Sequence, residues 1–393
     1  MGARDGSEES EEESGLRRRA GIWDARGVNF RLLDPGLRSI AAKVLSGARI
    51  SDADALALYA SHDLNGIGAI ANVIRERING NVATYIHNRY INYSNVCLLS
   101  CGFCAFGAKK REPHAFEMAA PEIVSAVRDA VKHGITEIHM VGGLHPSLPR
   151  DWYLDLLGDL RAIDSGLVIK AFTAVEIRHL ADRIFKMPVR ETLVLLREHG
   201  LGAITGGGAE IFDQEIRDKI CLGKETADEW ADVHRTWHEL GGRSTCTMLY
   251  GHIENAGHRV DHLRRLRGLQ DETGGFTGFV PFAFEPDGAR PGLQGIPHAT
   301  AHEELRNLAI SRIYLDNIAH ITSYWISLGL PLAQISLSFG VDDLHGTIQE
   351  EKVFHMAGAP TPRKQTAEAL EKAIRGAGRV PAQRDSFYRR IEP

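Results

Sequence analysis

The densest chemistry in the chain lies in Cys97-Leu98-Leu99-Ser100-Cys101-Gly102-Phe103-Cys104, where three of the five cysteines fall at a C-x3-C-x2-C spacing. Three thiols on one short loop are reactive unless a ligand holds them, and in a reducing compartment such a cluster reads as a metal or redox centre rather than a disulfide framework. A structural zinc site wants four closed ligands, usually drawn from two C-x2-C pairs, and here one ligand is missing. Three thiolates suit a [4Fe–4S] cubane with one iron left open to a further molecule, since such clusters normally take four cysteines. Cys221 and Cys246 stand alone in what read as a helix and a strand. A fourth ligand from either would make a closed, electron-carrying cluster instead.

The elements that must position this loop are legible as alternating segments. Strand-like runs occur at 89–96, 136–143, 167–177, 202–211, 243–251 and 276–284, with shorter ones at 320–325 and 334–340. Amphipathic helical stretches such as PEIVSAVRDAVKHG and ADEWADVHRTWHELG separate them. Strands alternating with helices predict parallel βα units, and about eight of them predict an α/β fold of TIM-barrel type with eight strands. Ligands of such barrels bind at the carboxyl ends of the strands. Those ends carry Cys97 onward, Gly142, Gly143 and His145, Glu176, 206–210, 251–254, and Asp342 with Asp343. Glycine also ends strands simply because turns need it.

Four segments follow from texture. Residues 1–20 form a polar, acidic stretch too poor in apolar groups to order, hence a disordered tail. Residues 21–84 form a helical layer, with Ser51 as an N-cap and Leu64, Ile67, Ile70, Ala71, Ile74 and Ile78 at helical spacing up to Gly80. Residues 85–345 make the barrel and 346–393 a C-terminal extension. The chain is 43% apolar and 25% charged, with a net charge of −5. It carries neither a basic stripe for nucleic acid nor an apolar run long enough to span a membrane. Its opening lacks a signal-peptide core, which predicts a cytoplasmic protein.

The cysteine loop, with Phe103 before its last cysteine and a strand before its first, resembles the radical S-adenosylmethionine (SAM) superfamily. Residues 85–360 resemble the aminofutalosine synthases of menaquinone biosynthesis through HMVGGLHPSLPRDWYLDLL, IKAFTAVEI, GGGAEIF, HRTWHELG, MLYGHIENAGHRVDHLRRLR, LQDETGGFTGFVPFAFEP and SFGVDDLHGT. Cyclic dehypoxanthinyl futalosine synthase and the deazaflavin-forming enzymes share this wider group.

The resemblance implies a [4Fe–4S] cluster on Cys97, Cys101 and Cys104, with SAM as cosubstrate and an external low-potential electron donor. The implied reaction adds the 5′-deoxyadenosyl radical to an aryl enol-ether dicarboxylate, 3-[(1-carboxyvinyl)oxy]benzoate, followed by aryl migration and decarboxylation. Gly142 and Gly143 match an element whose bare backbone approaches SAM; its third member is often Glu but is Leu144 here. The resemblance gives Glu176, Glu210, Arg235 and Phe103 to SAM as well, with Phe103 over the adenine. A carboxylate at a helix N-terminus and an exposed helix Arg are the structural alternatives for these positions. His145, His252, Arg259, Arg290, Arg312 and Asp343 are candidates for the substrate's carboxylates. Asp343 and His355 could instead pin the C-terminal extension.

Overall fold

In the computed structural model, residues 33–392 are described, so the acidic stretch 1–20 and its expected disorder lie outside them. The strands are β1 (Val82–Ile86), β2 (Asn88–Ile91), β3 (Glu137–Met140), β4 (Val168–Ala171), β5 (Leu201–Ala203), β6 (Ser244–Tyr250), β7 (Phe276–Ala283), β8 (His320–Ile321), β9 (Asp343–Gly346) and β10 (Val380–Arg384). All pairings between them are parallel, in the orders β2-β3-β4-β5, β6-β7-β8 and β10-β1-β9. Single parallel bridges, Ile204 to Ser244 and Thr322 to Asp343, link the three sheets. The ring closes because only His87 separates β1 from β2: β1 pairs with β9 and β2 with β3. Thr347 seals the seam, its N–H donating to Ile86 O at 3.0 Å and its hydroxyl to Asn88 O at 3.1 Å.

The eighth strand is not where the sequence places it. Residues 334–340, expected as a strand, fall largely in and after the helix Leu330–Ser336, and the strand of the barrel is β9. Gly329 enters at φ 75° with Pro331 in the first turn, which initiates a helix. Ala333, Ser336 and Leu337 are buried while Ile335 is half exposed, a spacing of three and four rather than two. β1 also begins inside the segment expected to be helical.

The described residues ahead of β1 are helical, and Ile78, near the end of the last of these helices, is exposed. Ser51 caps the helix Asp52–Ala60 in a reciprocal box with Asp54. The helix Leu64–Asn79 buries Ile67, Ile70, Ala71 and Ile74 and packs on the outer helix Ala301–Tyr314. Among the described residues no helix is long and apolar enough to cross a membrane.

The C-terminal extension closes the amino end of the barrel. Arg384, on β10, donates to both carboxylate oxygens of Asp343 at 2.5 and 2.9 Å in full burial. Tyr388 lies 3.9 Å under the Arg384 guanidinium, stacks on His320 at 4.0 Å and shares a hydrogen bond with Thr322 at 2.8 Å. Asp343 therefore pins the extension and does not face a substrate site. Arg312 is also at this end, buried and donating to the carbonyls of Leu315, Ile318 and Ala319 ahead of β8. The carboxyl end of the barrel is left for chemistry.

Candidate active site

The cysteine loop leaves β2 over the carboxyl rim and is held by backbone and by two cations. Cys97 N donates to Ala108 O at 2.9 Å and Gly102 N to Ile220 O at 2.6 Å. The Lys109 ammonium gathers the carbonyls of Cys97, Leu98 and Leu99 at 2.7–3.1 Å. Arg290 ties the other end, donating to Cys104 O at 3.3 Å and Gly107 O at 2.6 Å. Two N–H groups point at the thiols, Leu144 N at Cys97 Sγ (3.4 Å) and Gly107 N at Cys104 Sγ (3.3 Å). Burial pushes the Cys101 thiol up to about 12 and raises that of Cys104, so loading must displace protons from them. Three thiolates on one loop, two of them faced by backbone N–H donors, are a donor set that fits a [4Fe–4S] cluster with one iron left open.

The Gly-Gly segment backs this loop. Gly143 N donates to Ser94 O at 2.8 Å and Leu98 N to Leu144 O at 3.1 Å. A Cβ on Gly143 would stand 2.4 Å from Val96 O, and one on Gly142 would stand 2.5 Å from the Tyr93 ring. Gly143 is therefore required by contact with the backbone that enters the cysteine loop, and Gly142 by the Tyr93 ring. Glu176 fixes the segment from behind: one oxygen accepts from Gly142 N (2.9 Å) and Tyr93 OH (3.0 Å), the other from Thr173 N (2.8 Å) and its hydroxyl (2.9 Å). Burial pushes its carboxyl up to about 7 against these four donors.

Two cavities open inward from the loop. One, of about 180 Å³, is lined by Phe103, Cys104, Gly208, Glu210, Leu249 and Phe284 among others. The second, also about 180 Å³, occupies the barrel interior between Tyr90, His139, Lys170, Thr247, Tyr324 and His345. Gly207, Phe282, Val353 and Phe354 line both, so the cavities adjoin.

This arrangement agrees with what the chain is similar to. The radical SAM superfamily model matches residues 91–266 and the CofH/MqnC C-terminal region model matches 273–392. The chain is 46% identical to aminodeoxyfutalosine synthase of Thermus thermophilus, covering 91% of this chain and 96% of that one. It is 42% identical to the Streptomyces coelicolor aminodeoxyfutalosine synthase, over 91% of this chain and 94% of that one. Cyclic dehypoxanthine futalosine synthase of S. coelicolor is 37% identical over 90% and 89%. The chain belongs to the aminodeoxyfutalosine synthase branch of the radical SAM superfamily. Its fold matches methylornithine synthase at a TM-score of 0.71, 18% identity, 87% of this chain and 97% of that one.

Within this family fold, the expected SAM residues divide. Phe103 and Glu210 line the cavity beside the cysteines, and the Glu210 carboxylate pairs with Lys224, whose ammonium lies 5.4 Å from the Phe103 ring centre. Glu210 adopts φ 44°, outside the usual range for a residue with a Cβ. Arg235 is elsewhere: on the outer helix Ala227–Glu239 it pairs with Glu272 at 2.6 Å and with Asp232. The helical phase that points Arg235 outward was not readable without the neighbouring helix.

The expected substrate residues are engaged with protein. His145 Nδ1 accepts from Leu148 N at 2.9 Å and its Nε2 meets Glu117 at 2.9 Å, which staples the loop after β3. Glu254 draws in both His252 (3.0 Å) and Arg259 (2.6 Å) and accepts from Gly251 N at 2.7 Å. Arg290 holds the cysteine loop, and Arg312 and Asp343 lie at the far end. His355 bonds Glu351 at 2.8 Å and Thr361 O at 2.8 Å. The barrel cavity is lined by Asn92, several threonines, Tyr324 and Glu351, and also, on the strands, by Tyr90, His139, Lys170 and His345. Their signal was a charged or imidazole side chain at an inward position of an otherwise apolar strand, as in EIHM and VIKA.

Proposed function

We propose that this chain joins the 5′-deoxyadenosyl group of SAM to 3-[(1-carboxyvinyl)oxy]benzoate, forming aminodeoxyfutalosine with aryl migration and loss of the carboxyl group. The observation that carries this is the pair of adjoining cavities, one against Cys104 of the cysteine loop and one inside the barrel. A cluster on Cys97, Cys101 and Cys104 would supply the electron that opens the sulfonium of SAM. Phe103 walls the adjoining cavity, and Glu210, paired behind with Lys224, offers its carboxylate to a methionyl ammonium or to ribose hydroxyls. Glu176, through Gly142, keeps the backbone beside the cysteines in one geometry. Phe282 and Phe354 line both cavities and give the passage between them an apolar wall.

An external low-potential donor must reduce the cluster, and the thiol centre suits a reducing, cytoplasmic setting. The test is anaerobic reconstitution with iron and sulfide, expected to load about four irons per chain, followed by turnover with SAM and the aryl enol ether. A coupled product carrying the adenosyl mass supports the assignment. Release of 5′-deoxyadenosine alone, with the aryl substrate intact, contradicts it.

A further inference from the structure

One row of the barrel interior has unmet hydrogen-bonding capacity. Tyr90 on β2 is in register with His139 on β3, and His139 with Lys170 on β4. His345 on β9 extends the row across the seam, its Nε2 3.2 Å from the Tyr90 hydroxyl. Nδ1 of His139 and Nδ1 of His345 are buried and have no partner. The Lys170 ammonium has Glu137 only at 4.0 Å. His345 is held at φ 63°, its N–H donating to Asp343 Oδ1 at 2.9 Å, so the Asp343–Arg384 plug fixes an unusual backbone under the cavity floor. Buried polar groups without partners cost stability, and at a cavity wall they are a reason to look for a ligand.

Resting on the function proposed above, the geometry points to His139, His345 and Lys170 as the receptor for the aromatic carboxylate of the substrate. The reacting alkene must face the cavity beside the cysteines, and the ring carboxylate is at the other end of the molecule. It is therefore directed to the barrel floor. There it meets an ammonium and two imidazoles that can each donate an N–H, while Thr247, Val280 and Phe282 line the cavity around the ring and the Glu351 carboxylate, also at the wall, is taken up by Phe354 N and His355. Burial holds both imidazoles neutral in the free protein, His139 at about 3 and His345 at about 4, so each carries a single N–H that a carboxylate can accept.

The experiment compares the dicarboxylate with the phenyl analogue lacking the ring carboxylate, in wild type, His139→Leu, His139→Gln and Lys170→Met, each checked for iron content and SAM cleavage. A hydrogen bond to a charged group is worth about 1.5–3 kcal/mol, which converts to a rise of about tenfold to a hundredfold in KM. That rise is expected for the dicarboxylate in His139→Leu and Lys170→Met, with the analogue unaffected, and His139→Gln should recover much of it. Equal KM changes for both compounds, or none, in a cluster-loaded His139→Leu overturn the assignment. If wild type forms no adenosyl adduct at all, the functional reading fails separately. Calorimetric binding of the dicarboxylate to wild type and His139→Leu still tests the receptor in that case: equal affinity overturns it.

Discussion

Gly143 carries a consequence that its sequence context did not suggest. Its N–H is committed to Ser94 and any Cβ would press on Val96, the residue before Cys97. Gly143→Ala should therefore displace the start of the cysteine loop, costing about 1–3 kcal/mol of overpacking and lowering iron retention as well as SAM affinity. Iron analysis alongside SAM binding checks this; full iron with weak SAM binding would return the glycine to a direct ligand contact. The three cysteines stood out because thiols so closely spaced on one loop point to a metal or redox centre. Arg235 and Arg312 were not, because an arginine on a helix reads the same whether it faces a ligand, a solvated carboxylate such as Glu272 or a row of carbonyls. His139 and Lys170 were passed over because single polar residues in a strand become meaningful only when register puts them side by side.

At the scale of elements, the cysteine loop depends on residues far from it in sequence. Arg290, 186 residues from Cys104, binds the carbonyls of Cys104 and Gly107 and is partly buried, whereas Lys109 is exposed. Arg290→Ala should accelerate cluster loss on dilution into a chelator by about tenfold or more, from lost charge-assisted bonds of about 1.5–3 kcal/mol. Lys109→Met should do so less. Equal, unchanged lifetimes in both would show the loop to be held by its backbone bonds alone. The first seven strands of the barrel were readable from alternation. The eighth was not, because 334–340 is apolar enough for either state, and the Gly329 and Pro331 entry decides for helix. β10 was hidden in a short, mixed run whose partner, β1, was itself read as part of the helical layer.

The whole molecule joins a plugged end to a reactive one. Arg384→Met leaves Asp343 buried without its cation and should lower stability by about 3–5 kcal/mol, measured by denaturant unfolding. A change under 1 kcal/mol would make the plug peripheral. Stability should also follow pH with a defined sign. His139, His234, His238, His262 and His345 are held neutral by burial, so they take up protons mainly on unfolding. Their stabilisation is complete above about 6.5 and drains as pH falls toward 4. Glu176, Glu225 and Glu304, raised by burial to about 7, 7 and 8, act in the opposite direction and soften that loss down to about 4.5. Below that the lowered carboxyls of Glu254, held by His252 and Arg259, and of Asp343, held by Arg384, add to it. The expected profile peaks near neutrality and steepens below about 4.5; a flat profile from 7 to 4 would contradict the burial of these groups. The central claim is the fate of the adenosyl carbon, and the direct measurement is turnover with SAM labelled throughout that group. Addition predicts one labelled adenosyl unit in each product and one methionine released. A product without label, formed while substrate is consumed and labelled 5′-deoxyadenosine accumulates, would contradict addition and assign the chain to hydrogen abstraction.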